Sequence, residues 1–212
     1  MRSPRTARAR VLAVAASAAV VVPLMSGCQT NAGSAAFVGK DKISTVDLTA
    51  MAQRSQQALA AAGSAQAATP EAVQRNDLSL LITDKLLQRV GAAKGVTVTN
   101  TDVQTFQSQQ LAANGEALTQ QLASQGIGQA DLKLLFRVQL LDTRIGAKLG
   151  ASPKQQSDPV VPLIVQESKR VGVRVNPRFG TWDAANVRVR PPADDLSSPA
   201  SPADAAVPST AP

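Results

Sequence analysis

A chain of 212 residues with one cysteine and no histidine has no Ser–His or Cys–His pair, and no mixed His/Cys zinc set, to offer. Its formal charge of +7 overstates its basicity, because four of the arginines lie in the first ten residues. Without residues 1–27 the balance is 18 basic against 15 acidic residues, and with 2% aromatic residues and no basic block the composition excludes a nucleic-acid platform.

Residues 1–27 read as an export signal. MRSPRTARAR carries the arginines, VLAVAASAAVVVPLM is an apolar run too short for a comfortable membrane span, and Ser26-Gly27-Cys28 is a small-residue exit. MSGC resembles the lipobox of bacterial lipoproteins, with cleavage between Gly27 and Cys28 and diacylglycerol on the Cys28 thiol. Leu24 and Met25 depart slightly from the commonest pattern. A lone exported cysteine forms no disulfide within its chain, so lipidation gives it a use. The expected address is the outer face of the cell membrane. Residues 28–35 read as a polar tether, 36–190 as one folded domain, and 191–212 as a disordered Pro/Ala/Ser tail that cannot bury enough apolar surface to offset its ordering entropy.

Within the domain, AFVGKDKIS predicts a hairpin around Gly39-Lys40-Asp41. Ile43-Ser44-Thr45-Val46-Asp47-Leu48 and Val98-Thr99-Asn100-Thr101-Asp102-Val103 repeat one device: apolar, hydroxyl, two residues, acid, apolar. Each hydroxyl can cap the third helical amide, each acid can answer back, and the apolar pair can clasp across the helix start. The first helix is expected over about 45–62, with Leu48, Met51, Ser55, Leu59 and Ala62 on one face. Thr69-Pro70-Glu71 starts the second, in which Leu78, Ile82, Leu86 and Val90 recur every fourth residue and which Gly95 ends. Residues 96–98 read as extended. A third helix spans about 100–113, broken by Asn114-Gly115, and a short one covers 116–125. The longest, over about 129–149, is expected to be central, with Leu134, Val138, Leu141 and Ile145 as its stripe. A last helix covers about 160–169. Asp77, Asp84, Asp131 and Asp142 read as solvated positions on helix faces.

Val171, Val173 and Val175 then alternate with Gly172, Arg174 and Asn176, which is the period of a half-buried strand. Val187 and Val189 alternate again. An isolated two-stranded ribbon is marginal in water. The alternating residues of 171–189 are therefore expected to pair with 36–44 in a small antiparallel sheet, with Trp182, the only tryptophan, and Phe179 packed between sheet and helices. The fold class is mainly α with a small antiparallel sheet joining the N- and C-terminal strands.

The succession of a lipobox, AFVGKDKIS, LLITDKLLQRVGAAKGVTVTNTDV and the return through VNPRFGTWD resembles the SurA N-terminal-type domain of actinobacterial exported lipoproteins. The resemblance covers most of residues 36–189. It implies a chaperone domain that holds unfolded exported polypeptides, a partner class set by the family and not by composition. Relatives with prolyl-isomerase activity carry an inserted parvulin domain with active-site histidines, and this chain has neither room nor histidine for one. Catalytic residues, metal and cofactor are all expected to be absent. A scaffold or adaptor that binds one specific envelope partner is the alternative function, and the sequence fixes neither clients nor oligomeric state.

Residues 104–129 hold eight glutamines interleaved with Phe106, Leu111, Leu118, Leu122 and Ile127. A glutamine amide can donate to or accept from a peptide backbone without selecting charge. These five apolar residues are the candidate peptide-binding set. The competing expectation is that they form core and the glutamines are merely solvated.

Overall fold

The computed structural model describes residues 33–192 apart from Ala67 and Pro153. The signal segment 1–27, the Gly27–Cys28 junction, the tether as far as residue 32 and the tail beyond Pro192 lie outside the described residues.

Strand β1 (Ser34–Val38) opens the domain and turns at Gly39, whose φ is 63°, into β2 (Asp41–Ser44). It starts inside the expected tether. Ala35 is fully buried and its carbonyl accepts from the Asn176 amide at 2.9 Å, so Ser34 and Ala35 belong to the sheet. The sheet order is β2-β1-β3, with β3 (Val173–Val175) antiparallel to β1 in the register Ala36↔Val175, Phe37↔Arg174, Val38↔Val173. The domain's two ends therefore meet on one strand. The alternation survives over β3, where Val173 and Val175 pack on the main core and the Arg174 guanidinium lies 5.6 Å from the Phe37 ring centroid, whereas Val171, expected in the strand, ends the last helix.

Helix α1 (Thr45–Ala61) begins where Ser44 Oγ accepts from the Asp47 amide at 3.0 Å. The Thr69 hydroxyl caps α2 (Pro70–Ala93), with proline in the first turn, where its missing amide donor leaves no gap. The complete reciprocal cap is at α3 (Asn100–Ser124): Asp102 donates its amide to Thr99 Oγ1 at 3.1 Å, and Thr99 donates its own to Asp102 Oδ2 at 2.7 Å. Gly115, at φ 47° and ψ −129°, kinks α3 where the Asn-Gly pair predicts a break. A 3₁₀ turn (Gln129–Asp131) precedes α4 (Leu132–Lys148), and α5 (Val160–Val171) follows.

The central helix is α2, not the segment 129–149. It packs against α1, α4, α5 and β1, and Leu78, Ile82 and Leu86 are fully buried along it. Side chains of this size contribute about 1.5–3 kcal/mol each when wholly buried. At 24 residues, α2 is also longer than the 17-residue α4. The buried stripe of α4 is Leu132, Phe136, Leu140, Leu141 and Ile145, while Leu134 is only half-buried.

Two further expectations need correction, and one link is refined. Residues 96–98, read as extended, run as an irregular link that joins no sheet, with Val96 and Val98 packed against the core. Only Val173–Val175 of the returning segment pairs with β1. Beyond the 3₁₀ turn Pro177–Phe179 and Gly180, β4 (Thr181–Asp183) and β5 (Arg188–Arg190) form a separate ribbon. Val187 sits at φ 51°, so the turn breaks the apparent Val187–Val189 alternation. The ribbon gains its stability from α2 and α5. Val189 donates its amide to Ser79 Oγ at 2.8 Å, and Trp182 Nε1 donates to Ser168 Oγ at 2.6 Å. Trp182 is half-buried and Phe179 is buried, between ribbon and helices as expected.

The second correction concerns acids. Asp77, Asp84 and Asp131 are 7%, 2% and 6% exposed, not solvated. Asp84 takes both Nε and Nη2 of Arg137 at 2.7 and 2.9 Å, joining α2 to α4. Asp131 takes Arg54 Nε and Nη2 at 3.0 and 2.6 Å, joining the 3₁₀ turn to α1. Asp77 accepts from Ser55 Oγ at 3.0 Å. Asp142, half-buried, accepts from Ser157 Oγ. The partners come from distant parts of the chain, so a helical wheel of one segment shows the acid and hides its mate.

Candidate peptide-binding groove

The kink at Gly115 divides α3 into two arms, and the second returns toward α1. The Gly126 and Ile127 amides close this arm on the Ala123 and Leu122 carbonyls at 2.9 Å each. Gly126 (φ 82°) has only hydrogen where a Cβ would touch Leu59, so the 124–128 connection lies close along α1. The Arg54–Asp131 pair then fixes the start of α4 to the same helix. Arg54 gains basicity from its hydrogen bonds to Asp131, and its side chain remains 39% exposed.

Between these elements runs an open groove of about 360 Å³. Its floor and walls are small or apolar: Ala58 and Ala61 from α1, Ala123 from α3, and Ile127, Gly128 and Leu132 from the connection and α4. Gln57, Thr119, Gln129 and Arg54 stand around it. The arginine is the one charged group in this lining, and Asp131 already holds it. Such a surface can remove apolar side chains from water and offer neutral hydrogen-bond partners to the backbone beside them.

The five candidate residues do not share this surface. Ile127 lines the groove. Leu122 is 7% exposed and lies with Val103, Leu132 and Phe136 in a second, smaller core, against which Leu118, Ile127 and Phe106 pack. The Phe106 and Phe136 rings meet edge to face, centroids 5.7 Å apart at 81°. Phe106 also borders a different cavity of about 350 Å³, a polar one shared with Gln139, Asp142 and residues 154–158. Leu111 is half-buried and belongs to neither core. Of the eight glutamines, Gln129 reaches the groove.

The groove residues that pattern reading passed over are chiefly Ala58, Ala61 and Ala123. A search for large apolar side chains at helical spacing does not register alanine. The signal was the run Ala58-Leu59-Ala60-Ala61-Ala62, where one leucine is buried and small residues surround it. Among the described residues no cluster of three or more His, Cys, Asp or Glu side chains could hold a metal ion, and no helix is long and apolar enough to cross a membrane. In comparisons with known proteins, no family model, curated sequence or solved structure matches the chain.

Proposed function

We propose that this chain is a membrane-anchored extracytoplasmic lipoprotein whose helical domain holds segments of exported polypeptide without catalysing a reaction, in the manner of SurA N-terminal-type chaperone domains. The groove between α1 and the second arm of α3 carries the reading. A holding site must accept many sequences weakly, and small apolar walls under a rim of neutral polar groups and one arginine already paired with Asp131 select for little besides apolarity. The lipobox-like MSGC supports an anchor at Cys28. A lipoprotein's two or three acyl chains hold stably where one would not, and confinement to the membrane face raises the local concentration met by emerging chains.

Suppression of aggregation of several unrelated unfolded proteins tests this, with wild type compared to Ala61→Trp and Ala61→Glu. Ala61 is exposed on the groove wall, so both variants fill or charge the groove without entering the core. The expected result is broad suppression by wild type and its loss in both variants at unchanged melting temperature. Suppression that survives both would refute the groove as the holding site. A second reading, an adaptor for one envelope partner, draws on the groove's modest 360 Å³, enough for a few side chains of one motif. Suppression of no client would favour it.

A further inference from the structure

On the other side of α1 the same connection bounds a smaller cavity of about 130 Å³, against the ~30 Å³ that one water molecule occupies in liquid. Ser55 and Leu59 of α1, Asn76 and Asp77 of α2, and Ser124 and Gln125 at the end of α3 form much of its wall. Asp77 is 7% exposed. Its Oδ1 accepts from Ser55 Oγ, but Oδ2 has no partner among the described residues. The charged groups that act on it are Arg54 from α1 and Asp131 from the 3₁₀ turn. Those two are bound to each other, so their charges offset and the Asp77 carboxylate is left uncompensated. The rest of the wall carries no charge: the Asn76 and Gln125 amides and the Ser55 and Ser124 hydroxyls offer neutral oxygens, and Leu59, Ala68 and Val73 are apolar.

We propose that this cavity binds a primary ammonium group, supplied either by a lysine side chain of a bound polypeptide or by a free alkylamine. An ammonium has three donors and no acceptor. The Asp77 carboxylate on the wall supplies the opposite charge, and the amide and hydroxyl oxygens can accept from the donors. A divalent metal ion fits worse, since the wall's single carboxylate offsets only one of its two charges. A neutral apolar guest would leave the buried carboxylate unpaired. The site is separate from the groove, and its test does not require that the groove hold clients.

Titration of the full-length chain in detergent with n-butylammonium chloride, followed by amide NMR, tests the proposal at pH 7.5, with n-butanol and tetramethylammonium as controls. Saturable shifts at Ser55, Asn76 and Gly126 are expected with butylammonium only, together with at least about a tenfold loss of affinity in Asp77→Asn. Wild type provides a second arm that needs no variant. Burial, partly offset by the Ser55 hydrogen bond, pushes the Asp77 carboxyl up to about 6. Affinity should therefore fall about tenfold between pH 7.5 and pH 5 as the carboxyl takes up a proton. A short lysine peptide and its Nε-acetylated form separate the two sources. Binding of the peptide, abolished by acetylation, identifies a polypeptide lysine, whereas binding of butylammonium alone identifies a small amine. Equal shifts with n-butanol, no saturable shift with any amine, or affinity indifferent to both Asp77→Asn and pH would overturn the site.

Discussion

Replacing Arg137 by methionine will destabilise the domain more than replacing its partner Asp84 by asparagine, although both changes break the same ion pair. The asymmetry follows from burial: the Asp84 side chain is 3% exposed, the Arg137 side chain 32%. Arg137→Met keeps most of the aliphatic stem but strands a carboxylate with only the Gln88 amide, 2.7 Å away, to satisfy it. Removing one partner of a buried pair in this way costs about 3–5 kcal/mol. Asp84→Asn leaves a neutral isostere that can still accept one hydrogen bond, and the arginine can turn its charge to solvent, so the cost falls to about 1–2 kcal/mol. In melting temperature the larger loss corresponds to a drop of about 6–20 °C for a domain of this size. Urea unfolding followed by circular dichroism measures both, with slopes compared to confirm a common transition. The double variant Asp84→Leu/Arg137→Met should recover much of the single-variant loss, because no charge is then stranded. An Arg137→Met variant no less stable than Asp84→Asn, or a double variant worse than Arg137→Met, would refute the reasoning.

Gly146→Ala inverts the usual helix rule: alanine ordinarily gains about 0.5–1 kcal/mol over glycine inside a helix, but here its methyl would run into the Gln156 backbone. A net loss of about 1–3 kcal/mol is expected in the same unfolding assay, and a gain would show that residues 151–159 yield freely. Truncation after Lys169 removes β3, β4 and β5, opens the β1 edge and uncovers the core at Phe179 and Val189, so the melting temperature must fall; an unchanged value would contradict the closure. The Asp77 carboxyl ordinarily titrates near 3.8 and burial raises it to about 6 in the folded domain. Between these values the folded state binds more protons than the unfolded one, so this group makes stability fall as pH rises from about 4 to 6. The wild-type pH–stability curve should lose that slope in Asp77→Asn, and an identical curve for both proteins would place the titration elsewhere.

The elements that local chemistry dictates were legible in the sequence. Ser44, Thr69 and Thr99 cap three helices where the hydroxyl pattern puts them, because a cap needs only residues within one turn of each other. Gly115 kinks α3 and Gly39 turns the hairpin for the same short-range reason. The β1–β3 pairing was also within reach, since alternating valines require a partner and the chain has few other candidate strands. The candidate site was legible only in part. Ile127 reaches the groove, but Leu118, Leu122 and Phe106 went into a second core, because which face of α3 is covered depends on where Phe136 and Leu132 of α4 arrive.

By itself the sequence determined a mainly helical domain with capped ends and a closing strand, since composition, periodicity and capping act over a few residues or over the whole chain at once. Tertiary structure alone decided that α2 is the centre, that Asp84 and Asp131 find arginines 53 and 77 residues away, and that alanines rather than leucines line the groove. Such partners are chosen by helix packing, which brings together side chains that no local window of sequence contains.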